Sequence, residues 1–369
     1  MSDRTPPPRA APPTAYDSFQ TCLPGIDLVA RTIAEVRRSS VGWVESDLLR
    51  REYILGDDMA MGYVHAYADL LVETGHHPTT AEEEANLVGD LIHTFANYEL
   101  HRRKTFWVDP PLAWMLSQTR LDIDGELVRL PFPCCAFVFT DAETRALADG
   151  LRGADSSVRD RAPTKVVSAY LIQDPLSEGP RELQAMFLFD RLDSGWPYIL
   201  GRDLWIAPRA RIDEILDSHY PDVDLATLDH VFRSDPMKRL LQVVINAVLY
   251  ATSAGVEPIL VRSPIAREPA PTHGKRARAQ RREAERQGRR GTREDVFFLP
   301  GKIDIRQVQL LQRVQEREDG RAILARFMVR GHWRRAAATW EDQRPRWIEP
   351  YWKGPELAAV IEREYRLKT

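Results

Sequence analysis

The sequence lacks the features that mark membrane, secreted and zinc-binding proteins. No apolar run approaches the roughly 18 residues that a membrane span needs, and the N-terminus has no apolar segment typical of a secretory signal. Cysteine is scarce, with Cys22, Cys134 and Cys135 as its only occurrences, and no Cys/His spacing resembles a zinc site. We therefore expect a soluble, cytoplasmic protein that has no membrane contact and keeps its cysteines reduced.

The short motifs of common catalytic sites are also missing. The chain has no P-loop, no glycine fingerprint for dinucleotides, no nucleophile elbow and no HExxH pair. Its nine histidines are dispersed, and its many carboxylates do not follow a nuclease pattern on consecutive strands. We therefore expect no catalytic residue, no metal site and no cofactor. A metal-dependent nuclease, whose ligands converge only in three dimensions, stays open as the alternative.

Lysine is rare as well, and the basic charge of the chain is concentrated towards its C-terminus. The sequence has 7 Lys against 44 Arg, and residues 257–369 carry 26 basic against 16 acidic side chains, although the whole chain has a net charge of −3. Nine basic residues fall in the stretch Gly274–Arg293, which has two acids and no large apolar side chain. They are Lys275, Arg276, Arg278, Arg281, Arg282, Arg286, Arg289, Arg290 and Arg293.

A stretch of this composition cannot bury an apolar face, so it predicts a linker or a basic arm. Three interpretations remain open for it. It is a solvated connection between folded parts, or it contacts RNA or the ribosome through phosphate charges, or it contacts an acidic protein partner. Because it carries no aromatic side chain, nothing in it indicates base stacking.

The hydrophobic patterns predict an α+β fold with a helical N-terminal region, a mixed α/β middle layer and a C-terminal Trp/Arg-rich β-hairpin. The predicted segments are a disordered Pro-rich tail (1–17), a helical region (18–118), a mixed α/β region ending in a long buried helix (119–256), a basic linker or arm (257–293), and a C-terminal β-rich module with a last short helix (294–369).

Caps and spacing predict the individual elements. Helices are expected from Asp57 to about Thr74, from Thr79 or Thr80 through Tyr98, after Asp109, at Ala142–Asp149 and Arg209–His219, from Asp235 to about Ala254, and at Glu356–Tyr365. Strands are expected at Glu126–Leu130, Cys135–Thr140, Lys165–Ile172, Leu183–Asp190, Tyr198–Ile206, Val296–Leu299 and Lys302–Arg306.

The predicted hairpin near the C-terminus is the most informative segment. Four of the nine tryptophans lie within twenty positions there, and the alternation of residues 327–334 places Trp333 on an apolar face opposite an Arg/His face. One interpretation is a small core in which arginines lie over indoles. The other is a recognition surface, because Trp and Arg dominate binding hot spots. For that surface we predict contacts from Arg330, His332, Arg334, Trp347, Trp352 and Lys353.

Two stretches resemble a known family of phage- and plasmid-associated bacterial proteins. One is Gly331-His332-Trp333-Arg334 followed by Trp347-Ile348, Pro350 and Lys353-Gly354-Pro355, and the other is Val243–Ser253. The resemblance covers roughly residues 240–355 and is to the family that contains the type V-A anti-CRISPR protein which blocks production of its target nuclease. No enzymatic motif accompanies it.

This resemblance implies a non-enzymatic binding protein of mobile-element origin. It would recognise a polypeptide partner, such as a nascent CRISPR nuclease, contact RNA or the ribosome through the basic arm, and lower expression of the target. The alternative is a nucleic-acid-binding or metal-dependent nucleic-acid-processing protein of a mobile element. A purely structural assembly partner is a third possibility.

Overall fold

A computed structural model describes most of the chain in segments. These are residues 32 and 54 and the ranges 57–87, 89–154, 163–174, 180–189, 198–219, 235–262, 294–300, 327–329, 331–337, 339–349 and 351–353. The α-helices in these ranges are α1 (Asp57–Glu73), α2 (Pro78–Leu87), α3 (Gly89–Leu100), α4 (Pro110–Ser117), α5 (Ala142–Ala154), α6 (Ile212–His219) and α7 (Asp235–Thr252).

The strands in the same ranges form one large sheet and two short ladders. They are β1 (Lys104–Val108), β2 (Cys134–Phe139), β3 (Val167–Gln173), β4 (Arg181–Phe189), β5 (Tyr198–Ile206), β6 (Ile259–Arg262), β7 (Asp295–Leu299), β8 (Phe327–Val329), β9 (His332–Arg334), β10 (Arg346–Ile348) and β11 (Tyr351–Lys353). The large sheet has the order β5-β4-β3-β2-β1-β7-β6, with β1 parallel to both neighbours and the other pairs antiparallel.

Helices cover both faces of this sheet, and its central strand, β2, is apolar and buried throughout. In β2, Cys134 lies on the face packed by α1, α2 and α3, whereas its neighbour Cys135 lies on the face packed by α4 to α7. Successive side chains of a strand point to opposite faces, so the two thiols are separated by the strand itself. Both are buried and free, and burial raises the pKa of each thiol well above its usual value.

Helix α7 lies against the middle of the sheet and positions the hairpin. All residues from Val243 to Tyr250 are buried, as the continuous apolar run of the sequence predicts. Asn246 is the polar exception within that run, and it is fully buried. A buried amide needs partners, and those partners come from the α4 end and from the hairpin.

The α+β class and most helices and strands are confirmed. Strand β5 has the predicted bounds, and the other predicted strands of the middle region are confirmed to within about two residues except one. Glu126–Leu130 was predicted as a strand and this prediction is wrong, because Gly125–Leu127 forms a 3₁₀ turn. The backbone N–H groups of Gly125 and Glu126 donate to the carbonyls of Ala210 and Pro208 rather than to a strand.

The sheet contains two strands that the sequence analysis did not predict, β1 and β6. Because β1 pairs with β7 and β7 pairs with β6, one sheet joins strands from four of the five segments predicted from the sequence. The single predicted helix from Thr79 or Thr80 is two helices, α2 and α3, with Gly89 at the start of the second.

Some predictions lie outside the described residues. These are the Pro-rich tail, the strand Lys302–Arg306 and the helix Glu356–Tyr365. Among the described residues, no helix combines the length and the apolar character that crossing a membrane requires.

Candidate recognition surface on the C-terminal hairpin

The two short ladders continue one another as a single hairpin. Trp333 pairs with Trp347 in the first ladder. Four residues further out on each strand, Val329 pairs with Tyr351 in the second. The register is therefore the same in both ladders, and the extended hairpin predicted from the sequence is present in the described ranges. Alternation is confirmed where burial is described, because Gly331 and Trp333 are buried and His332 and Arg334 are exposed.

The packed face of the hairpin is fixed by the amide of Asn246 on α7. The Trp333 indole, only 7% exposed, donates from Nε1 to Asn246 Oδ1 at 2.8 Å. In turn, Asn246 Nδ2 donates to the carbonyls of Leu116 and Thr119, each at 3.0 Å. One buried side chain thus joins α7, the end of α4 and the hairpin, and all these polar groups are satisfied without water.

A second indole extends the same contact. Trp347, which pairs with Trp333 across the strands, donates from Nε1 to Thr119 Oγ1 at 3.3 Å. Its ring meets that of Tyr250 edge to face, with centroids 5.3 Å apart. The Tyr250 hydroxyl donates to the Pro300 carbonyl at 2.7 Å. Trp347 therefore anchors the hairpin to α7 and to the residues after α4, and Tyr250 in turn contacts the residue after β7.

The opposite face of the hairpin brings two arginines and a tryptophan together in solvent. Arg334 and Arg346 face each other across β9 and β10, and both are exposed. Their guanidinium carbons lie 5.1 Å and 4.0 Å from the centroid of the Trp340 ring. Like charges opposite each other repel, and the negative face of an indole offsets that repulsion. The ring thus holds two cations in fixed positions.

The connection that carries Trp340 is ordered by its own hydrogen bonds. Trp340 N donates to the Ala337 carbonyl at 2.8 Å, and Gln343 Nε2 donates to the Trp340 carbonyl. Asp342 accepts hydrogen bonds from the Arg344 side chain and backbone, and these lower the pKa of its carboxyl to about 2. Asp342 is therefore ionised at neutral pH and engaged by Arg344.

Comparison with known proteins identifies the family. A family model described as AcrVA2-like, the anti-CRISPR type V subtype A2 family, matches residues 106–354. This chain belongs to the AcrVA2-like family.

The resemblance seen in the sequence covers roughly residues 240–355. The AcrVA2-like match extends well upstream of it, beginning within β1 and including β2 to β5. Among solved structures, the chain is similar to the crystal structure of AcrVA2, with 12% sequence identity, coverage of 90% of this chain and 98% of that chain, and a TM-score of 0.37. Comparison with curated proteins gives no match.

In this AcrVA2-like chain, some of the predicted partner residues lie on the exposed face, one lies on the packed face, and the side chains of the others are not described. His332 and Arg334 lie on the exposed face, as predicted. Trp347 lies on the packed face instead, because it pairs with Trp333. Only the strand backbone is described for Trp352 and Lys353, and Arg330 lies outside the described residues.

Two residues of the exposed face were not predicted. Pairing Trp347 with Trp333 places Arg346 opposite Arg334, so the register of the hairpin could have identified it. Trp340 sits in the polar connection, where no periodicity applies, and only the folded contact reveals its role.

The other residues predicted as a site belong to the basic arm. All nine basic residues of the arm lie outside the described residues. Across the described residues, no three His, Cys, Asp or Glu side chains come close enough together to hold a metal ion. The hairpin is also joined to the fold by Arg335, which forms an ion pair with Asp124 and lies 3.9 Å from Glu126.

Proposed function

We propose that this chain is a non-enzymatic anti-CRISPR protein that binds a polypeptide of a type V-A CRISPR nuclease, recognised as a nascent chain, and lowers production of that nuclease. Membership of the AcrVA2-like family supports the inhibitory role. The exposed face of the hairpin, formed by His332, Arg334, Trp340 and Arg346, is the surface that we assign to the polypeptide.

One observation carries this assignment: Arg334 and Arg346 are held over the Trp340 ring before any partner binds. Free arginine side chains lose conformational entropy when a partner immobilises them, and prior ordering reduces that cost. The face offers two guanidinium groups that can donate to carboxylates or backbone carbonyls, and an indole that contributes apolar area. This combination suits an extended or acidic peptide segment.

The test compares two double variants for binding to a nuclease polypeptide. R334A/R346A removes both cations of the surface, and K165A/R209A removes the same charge from exposed positions outside the hairpin. We expect R334A/R346A to weaken binding about thirtyfold, since a hot-spot truncation costs roughly 2 kcal/mol. The control variant should bind as the unmodified protein does. Titration with N-terminal peptides of the nuclease, followed by anisotropy, measures both.

The same titration separates the rival function. If the protein binds RNA or DNA but no nuclease peptide, and R334A/R346A loses that binding, the hairpin is a nucleic-acid surface. Equal weakening in both double variants would instead show a nonspecific effect of charge. Either result contradicts the assignment of this face to a polypeptide.

We further propose that the basic arm contacts RNA or the ribosome while the hairpin holds the polypeptide. Phosphate contacts release counterions, so such binding weakens steeply with salt and is insensitive to sequence. Replacing Arg281, Arg282, Arg289 and Arg290 by Gln should weaken ribosome association and flatten its salt dependence. The same four positions changed to Lys should keep the salt dependence, because charge rather than guanidinium geometry determines it.

Ribosome co-sedimentation across a series of salt concentrations checks this second proposal. Thermal stability should barely change in either set of variants, because solvated charges contribute little. A large fall in Tm of the Gln variant would show that the arm is part of the folded structure, and would contradict the proposed role.

A further inference from the structure

A small cleft where β3 ends and β4 begins contains buried hydrogen-bond donors that lack an acceptor among the described residues. It has a volume of about 140 Å³ and is lined by residues 129–133 together with Gln173 and Arg181. Its floor comes from the last residue of β3 and the first residue of β4, and its wall from the irregular segment that follows the 3₁₀ turn. This position is distinct from the exposed face of the hairpin.

The orientation of the Gln173 amide is fixed by the backbone. Gln173 is 4% exposed, and its Oε1 accepts a hydrogen bond from Leu130 N at 3.1 Å. The other end of the amide, Nε2, therefore has to be the donor. It is buried and has no acceptor among the residues that the structure describes.

The charged guanidinium group of Arg181 also has a donor without an acceptor. Its Nε is also buried without an acceptor, although a guanidinium donor normally finds one. Burial lowers the pKa of the Arg181 guanidinium and the charge of Arg129 lowers it further, whereas Glu126 raises it. Arg129 and Arg181 thus bring two cations to the cleft, and the Glu126 carboxylate acts on Arg181 as well.

The walls of the cleft restrict the kind of anion. Leu130, Pro131, Phe132 and Pro133 supply apolar lining, and Gln173 and Arg181 supply the buried donors. An inorganic anion would leave this apolar surface unused. A carboxylate on an organic group matches both the lining and the donors, since a planar carboxylate accepts paired hydrogen bonds from a guanidinium.

We propose that this cleft is a binding site for the carboxylate of a small organic acid or of an acidic peptide side chain, with Arg129 and Arg181 supplying charge and Gln173 Nε2 supplying a neutral donor. The site does not depend on the function proposed for the hairpin, because it shares no residue with the surface assigned there.

Three variants of the full chain test the site with benzoate as the probe, measured by calorimetry at constant ionic strength. In R129Q, which changes an exposed residue, benzoate affinity should fall about tenfold, the usual effect of losing one charge-assisted hydrogen bond. R209Q removes the same charge from another exposed position and should leave the affinity unchanged. Benzamide, which has the same ring and no charge, should bind at least about tenfold more weakly than benzoate to the unmodified protein.

Q173E provides a readout that does not depend on adding a ligand. Glutamate keeps the acceptor for Leu130 N–H but places a carboxylate where Nε2 now lies, so it should occupy the anion site itself. We expect Q173E to lose benzoate binding and to melt at the same or a higher temperature than the unmodified protein. If the cleft is not an anion site, burying an additional carboxylate there costs stability, and Tm should fall.

The source of the carboxylate is decided by comparing benzoate with a blocked tripeptide that has a central glutamate. Tighter binding of the tripeptide indicates a peptide side chain, and tighter binding of benzoate indicates a free organic acid. Failure of both to bind, equal binding of benzoate and benzamide, or a marked fall in the Tm of Q173E would each overturn the proposal.

Discussion

The packed face and the exposed face of the C-terminal hairpin use tryptophan in opposite ways. On the packed face, Trp333 buries its ring and passes its single N–H to Asn246. On the exposed face, the half-buried ring of Trp340 holds Arg334 and Arg346 over it. One indole thus contributes through burial and a hydrogen bond, and the other through the electrostatics of its ring.

This difference separates stability from recognition along a single strand. Residues 331–334 alternate between buried and exposed positions, so neighbouring side chains contribute to different properties. A slip of one residue would bury Arg334 and expose Trp333. The Trp333–Asn246 hydrogen bond opposes that slip, because the Trp333 N–H meets the Asn246 amide only in the observed register.

The largest effect is expected from the packed face. Trp333→Ala should cost about 3–5 kcal/mol, the usual range for removing a buried aromatic side chain, and should detach the hairpin from α7. Trp333→Phe keeps most of the ring but removes the N–H, so it should cost less. Chemical denaturation measures the loss, and hydrogen exchange of residues 331–348 shows where it occurs. A Trp333→Ala variant with unchanged stability would contradict the role of this face.

An intermediate effect is expected from the amide that receives Trp333. Asn246→Ala should cost about 1–3 kcal/mol, because it leaves the Trp333 N–H buried without a partner and the carbonyls of Leu116 and Thr119 without their donor. Thr252, near the end of the same helix, bonds only the carbonyls of Val248 and Leu249, so Thr252→Ala is a milder control. Combining Asn246→Ala with Trp333→Phe should cost less than the two single changes added together. Strict additivity in denaturation would show that the two side chains are not coupled.

Much of the large sheet follows from the sequence because its strands are local. Strands β2 to β5 are joined mainly by antiparallel pairs of neighbours along the chain, and alternation with turn residues predicts such strands well. By contrast, β1 is a five-residue strand with two parallel partners. It pairs with β2, which follows after α4, and with β7, which comes from a distant part of the sequence. No turn signal marks that kind of pairing.

The candidate surface, like the large sheet, was predictable only where a local pattern determines it. Alternation identified Trp333 as packed and His332 and Arg334 as exposed, since period two is a local property. It did not place Trp347, because the face of the second strand depends on which residue pairs with Trp333. Trp340 had no local signal at all, since its position is set by two arginines on different strands. The family relationship reaches back to residue 106, where the sequence alone showed no motif.

The smallest effect on stability is expected from Trp340. Changing this residue should also separate the two faces most clearly, because it should weaken peptide binding without destabilising the fold. Trp340→Ala removes a half-buried ring that touches the arginines and not the core, so stability should change by less than about 0.5 kcal/mol, as for most surface positions. Binding of the nuclease peptide should nevertheless weaken about fivefold, because Arg334 and Arg346 lose the cation–π contacts that order them. Each such contact is worth about 0.5–1 kcal/mol at exposed sites.

Two further variants test whether the aromatic face is the cause. Trp340→Phe keeps an aromatic face and should recover most of the affinity, whereas Trp340→Leu keeps apolar area without that face and should not. Peptide titrations on the three variants measure the affinity, and a denaturation curve for each variant measures its stability. If Trp340→Leu binds as well as Trp340→Phe, the ring contributes area alone, and the arginines of the exposed face do not depend on it for their positions.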